Sequence, residues 1–269
     1  MRAAIATTRS AARLVGRCGV TSYRALFNWA TPPMFLGTLL ATPLAQLLFF
    51  TYLGRQLGVA DDSFYVVGNS VFVASVACLY GGTMAIANER TFGTLSLVLL
   101  SPRSHTLLFL GRALPYAANG LLTSVFTLAL GTLLTGVRLS YNALFGIGGA
   151  ITAGALSCAF FGLLLGSIGL RFKDVLMISN LMHVLLLLVS GVNVPAAALP
   201  GVLRTIGSVL PISQAAEAAR LAAEGQPASS VLTLILRELL KAMAFAALAS
   251  GLLSLFAREG RRHATLDEL

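Results

Sequence analysis

Apolar residues along this chain gather into six long blocks, near 33–53, 64–87, 106–136, 143–170, 175–191 and 231–257. Short polar stretches rich in Gly, Pro and Arg separate them. About 20 apolar residues in a helix cross a bilayer, so the pattern predicts six spans. The third and fourth blocks exceed that length and are expected to tilt or to project beyond the bilayer. The fifth is short for a full crossing. Pro43 and Pro115 fall inside blocks, where kinks are expected.

Two stretches break the pattern. Residues 1–28 carry no acid and five arginines, Arg2, Arg9, Arg13, Arg17 and Arg24. At 100° per residue these lie within about 80° of one helical face, with Ala11, Leu14, Val15, Cys18 and Leu26 broadly opposite. This reads as a basic amphipathic helix over 1–30, lying on the cytoplasmic surface. An organelle transit peptide has the same composition. The second stretch, 192–230, holds Pro195, Pro200, Pro211 and Pro227 between moderately apolar pieces too short to span. It predicts one or two re-entrant or interfacial helices on the outer side, tolerated at membrane depth only where protein buries their backbone.

Composition agrees with a membrane chain. Of 269 residues, 57% are hydrophobic and only 11% charged, with a mean hydropathy of +0.83. A soluble surface needs about 25% charged residues. The net charge of +9 follows from the positive-inside rule rather than from nucleic-acid binding. Arg55, Arg138, Arg204, Arg220, Arg237 and Lys241 fall on outer segments if the N-terminus is inside. The rest of the 19 Lys and Arg fall on inner ones. Both termini are therefore expected in the cytoplasm, with residues 258–269 as a tail.

Candidate chemistry is sparse. Cys18, Cys78 and Cys158 lack metal-ligand spacing, so no metal site is expected, and Cys78 and Cys158 read as small packing residues. Lys173 and Lys241 do not follow Gly or precede Ser or Thr, so the chain has no Gly-x-x-x-x-Gly-Lys-Ser/Thr loop to cradle ATP phosphates. No catalytic constellation is present, and no enzyme activity is expected of the chain itself. No carboxylate falls in mid-span, which argues against a secondary transporter or channel, the alternative class. Glu238 and Lys241 have the i, i+3 spacing of a pair. His183 is the one deep ionisable group. With Asn180 on its helical face and Asn193 beyond, it is a candidate for a substrate path or for a bond to a neighbouring span. Gly162 and Gly166 form a small-residue face suited to close packing within the chain or between copies.

The loop 88–105 is the strongest local signal. It reads Glu-Arg-Thr-Phe-Gly-Thr-Leu-Ser-Leu-Val-Leu-Leu-Ser-Pro over 89–102, with Gly93 permitting close backbone approach and Pro102 ending a short helix. It resembles the cytoplasmic loop between the second and third spans of ABC-2-type permeases, in which Glu89, Arg90, Gly93, Thr94, Leu95, Leu99, Ser101 and Pro102 match. Ser96 stands where that family usually has Glu. Residues 211–220 resemble the Pro-x-Thr/Ser…Glu-x-x-Arg segment before that family's last span.

The resemblance implies an all-α integral membrane protein whose six-span domain covers 31–257. Loop 88–105, with Arg9, Arg13, Arg17 and Arg24 of the interfacial helix, would couple it to two ATPase subunits that bind ATP and Mg. A second permease subunit, identical or homologous, would complete the path, and 192–230 would gate its outer exit. The family exports drugs, antibiotics, peptides, lipids and lipid-linked polysaccharides. The last class is less favoured here by the 8% aromatic content. A bacterial cell membrane is the expected location.

Overall fold

The computed structural model describes residues 16, 18–21, 36–100, 105–169 and 175–263. The interfacial-helix arginines Arg9, Arg13, Arg17 and Arg24, as well as Ser101 and Pro102, lie outside the described residues. Among those described, the chain is helical throughout, with no strand.

A π-helical turn, Leu36–Ala41, runs directly into α1, Thr42–Leu57. Pro43 stands within this helical run, where the π-helical turn gives way to α-helix. Gly58, at φ 61°, ends α1 in a left-handed cap. Next come α2 (Asp62–Thr91), the short α3 (Leu95–Leu100), α4 (His105–Thr135) and α5 (Tyr141–Ile168). The α4 helix continues through Pro115, and Ser140 caps α5 by accepting from the Ala143 N–H at 3.2 Å. The chain ends in α6 (Val175–Val189), a 3-10 turn at Ala196–Ala198, α7 (Gly201–Val209), α8 (Ser213–Ala223) and α9 (Ala228–His263).

Four of these helices, α2, α4, α5 and α9, are long and apolar enough to cross a membrane. With 15 residues, α6 is about 22 Å long, shorter than a hydrocarbon core of about 30 Å. Non-helical residues Ser190, Gly191, Val192 and Asn193 follow it and are buried by protein.

The centre of the bundle is the pair α2–α5. Glycine lets the two backbones touch. A Cβ on Gly162 would stand 2.2 Å from the Leu79 carbonyl oxygen, and one on Gly82 2.4 Å from that of Ala159. Thr83 Oγ1 sits at the crossing, bonding Leu79 O at 3.0 Å and Gly162 O at 3.2 Å. Ser179 of α6 donates to that hydroxyl at 3.1 Å. The small-residue face at Gly162 and Gly166 is thus spent inside the chain. Cys78 and Cys158 are buried in the same core and unpaired. The alanines of α8 (Ala215, Ala216, Ala218, Ala219 and Ala222) share that core, and Ala222 abuts Gly146 of α5. A second core, of Ile86, Leu95, Val98, Phe109, Leu163, Leu253 and Phe256, closes the end of the bundle that carries the 89–100 turn, named the inner end after the orientation expected from charge, and the opposite end the outer.

Candidate functional site

At its inner end, α2 stops in a Schellman motif, and this accounts for the spacing of the loop signal. Gly93 takes the left-handed position at φ 66°, and a Cβ there would meet nothing within 4 Å, so it is the backbone conformation and not the expected close approach that favours glycine. Its N–H donates to Arg90 O at 3.0 Å, and the Thr94 N–H reaches back to Glu89 O at 2.9 Å. A hydrophobic contact usually joins the two outer positions of this motif. Here Thr94 Oγ1 donates to Glu89 Oε2 at 2.7 Å instead. Glu89 is buried and its other oxygen pairs with Arg112 of α4. Arg90 turns the opposite way and donates to Gly169 O at 3.3 Å, binding the C-terminal end of α5, where a cation suits the helix dipole.

The short helix α3 then starts, with the Val98 N–H on Thr94 O at 3.1 Å. Leu95 and Val98 enter the inner core. Phe92 and Leu97 remain 74% and 70% exposed. A braced turn therefore presents two apolar side chains outward. The matched residues Glu89, Gly93 and Thr94 build this turn, and Arg90 and Leu95 anchor it. Leu99 belongs to α3. The spacing did not reveal Arg112. Its only trace was a basic residue early in an otherwise apolar block, a pattern a surface charge also leaves.

The polar candidates of α6 form a second group. Tyr80 of α2 donates to Asn180 Oδ1 at 2.6 Å and lies 3.3 Å from His183 Nδ1. Asn180 is exposed and His183 half-buried. Tyr80 was missed because an isolated tyrosine in an apolar run reads as packing. Asn193 does not join this group. It is buried and accepts from Asn69 Nδ2 at 2.9 Å, while Asn69 Oδ1 takes a bond from Gln46 of α1 at 3.1 Å. These amides tie α1 and α2 to the segment after α6.

At the outer end, Arg220 and Lys241 bind the backbone of the 192–213 stretch. Arg220 of α8 donates to Val192 O at 2.8 Å and stacks 3.6 Å from the Phe64 ring centroid. Gly68 leaves room for it, since a Cβ there would lie 2.6 Å from the guanidinium. Burial lowers Arg220 to about 10, with Glu217 and Glu224 opposing, so it stays charged at neutral pH. On α9, fully buried Glu238 pairs with Lys241 at 2.8 Å, as the spacing predicts. Glu238 also accepts the Ile212 N–H at 3.0 Å, and Lys241 donates to Leu210 O at 2.8 Å and Ser213 Oγ at 3.1 Å. Together they hold Ile212 at φ 82°, a strained conformation for a β-branched residue.

A family model described as ABC-2 family transporter protein matches residues 39–256. The chain belongs to this ABC-2 family. It is a multi-pass transmembrane permease, a transporter subunit, and membership implies association with ABC ATPase partners at the membrane. No curated protein matches it. In this permease the Schellman turn and the 211–220 segment, the two signals that resembled the family, lie at opposite ends of the bundle. Each closes on a buried carboxylate.

Proposed function

We propose that this permease is the membrane half of an ATP-driven exporter of amphipathic molecules, such as drugs, antibiotics, peptides or lipids. Two permease subunits, identical or homologous, stand on two separate ATPase subunits that bind ATP and Mg. The chain itself hydrolyses nothing. It crosses a bacterial cell membrane six times, through α1, α2, α4, α5, α6 and α9, with both termini in the cytoplasm and the N-terminal arginines at the surface. The substrate passes between the two subunits along α1, α2 and α6, and the outer segment 192–230 gates its exit.

One observation carries the reading: the rigid inner turn that exposes Phe92 and Leu97. Exposed apolar groups on a braced, buried frame suit a groove on a partner that pushes from below. The frame is anchored to α4 by Arg112 and to α5 by Arg90, so force on the turn reaches the bundle.

The test is purification from the native membrane in mild detergent, followed by assay of the associated P-loop ATPase. Phe92→Ser with Leu97→Ser should leave the permease folded but release the ATPase and abolish substrate-stimulated hydrolysis. Full retention of the ATPase by the double variant would remove this turn from the coupling surface. For the path, the His183→Cys variant should react with a small water-soluble thiol reagent in at least one nucleotide state.

A further inference from the structure

Tyr80 links Asn180 to His183, and with Asn180 Oδ1 toward the hydroxyl the bonds favour one tautomer of the ring. The Tyr80 hydroxyl lies 2.6 Å from Asn180 Oδ1 and 3.3 Å from His183 Nδ1. A phenol has one proton to donate, and an amide oxygen only accepts. Asn180 takes that proton, so the Tyr80 oxygen accepts from the ring and His183 Nδ1 carries a hydrogen. No carboxylate touches this cluster among the described residues. An unpaired imidazolium inside an apolar bundle is costly, so the ring is neutral and Nε2 bears a free lone pair. Phe72, buried on α2, meets the ring edge to face with centroids 5.5 Å apart and sets its plane. No described residue bonds His183 Nε2 or the Asn180 amide nitrogen.

We propose that Asn180 and His183 act as a matched donor and acceptor that select an amphipathic substrate by a neutral amide or hydroxyl group. The assignment rests on the reading of α6 as lining the path. The two side chains stand three residues apart on one helical face. Asn180 Nδ2 donates to the oxygen of the incoming group, and His183 Nε2 accepts its N–H or O–H. A carboxylate brings only lone pairs to Nε2 and is repelled. A quaternary ammonium has no hydrogen to give. Leaving both groups against hydrocarbon carries a desolvation cost, which a bound amide or hydroxyl removes.

The experiment is nitrogen-15 NMR of the full-length chain in lipid nanodiscs, with histidine labelled. The chain has three histidines, and loss of one signal in His183→Gln identifies the resonance. Wild-type His183 should be in the Nδ1–H form, and Tyr80→Phe should move it toward the Nε2–H form. Decanamide, the probe, should shift the Nε2 resonance saturably, and Asn180→Leu should weaken that binding roughly tenfold, as for one lost neutral hydrogen bond. Decanoate and decyltrimethylammonium at equal concentration should leave the resonance in place. An Nε2–H form in the wild type overturns the proposal, as does an equal response, or none, to the three probes. Thiol labelling of His183→Cys judges the path separately: a reactive cysteine with the wrong tautomer keeps the path and removes only the selectivity.

Discussion

The inner and outer ends of this permease each bury one carboxylate against one cation, yet the two pairs hold different kinds of structure. Glu89 closes the turn that ends α2. Its bonds to Thr94 and Arg112 fix the frame, and Phe92 and Leu97 are displayed on it. Glu238 displays nothing. It and Lys241 bond to backbone and side chains of the 210–213 stretch, and Ile212 is driven fully inside. The inner pair positions a surface, whereas the outer pair dictates the path of a loop. A buried ion pair alone does not announce a functional site. What it holds in place tells the two apart.

The largest expected effect comes from breaking the outer pair. Glu238→Ala strands a mostly buried lysine and orphans the Ile212 N–H, and should cost about 3–5 kcal/mol in denaturant unfolding. Glu238→Leu with Lys241→Leu should recover much of that loss, because an apolar pair removes both charges at once. If the double variant is no more stable than Glu238→Ala, the pair is more than a neutral tie.

Glu89→Ala should cost less, about 1–3 kcal/mol, because Arg112 keeps 26% of its side chain exposed and water replaces part of the lost partner. Its loss of substrate-stimulated ATP hydrolysis should nevertheless exceed that of Glu238→Ala among the molecules that remain folded. Equal uncoupling by both variants would erase the distinction between the ends.

Gly162→Ala sharpens the contrast from the middle of the bundle. The added Cβ meets a backbone oxygen, so α2 and α5 must separate, at a cost of about 1–3 kcal/mol measured by thermal unfolding. Gly148→Ala, on the same helix with nothing within 4 Å of the new Cβ, is the smallest effect. It should be neutral or stabilising by up to about 1 kcal/mol.

Much of this was legible along the chain. Six apolar blocks became the six longest helices or helix runs, and the short fifth block became the 15-residue α6. Spacing found the Glu238–Lys241 pair because i, i+3 contacts are local to one helix. The 89–94 signal was legible for the same reason, since a Schellman motif closes within six residues. Partners across the fold were not. Arg112, Tyr80 and Asn69 reach their sites from other helices, and nothing near them in the chain names the partner. Asn193 follows Asn180 and His183 in the chain, but the break after Val189 turns it to Asn69 of α2, which in turn accepts from Gln46 of α1.

The sequence by itself determined that the chain lives in a membrane and where its long helices run, because hydrophobic length depends on neighbours in the chain. Only the tertiary structure decided which helices form the centre. The apolar windows of α2 and α5 are 67% and 72% buried by protein, and those of α4 and α9 only 28% and 22%, at nearly the same hydropathy. A leucine is equally content against lipid and against another helix, so hydropathy cannot rank them. What ranks them is contact between backbones at Gly82 and Gly162, a property of two helices together and of neither alone.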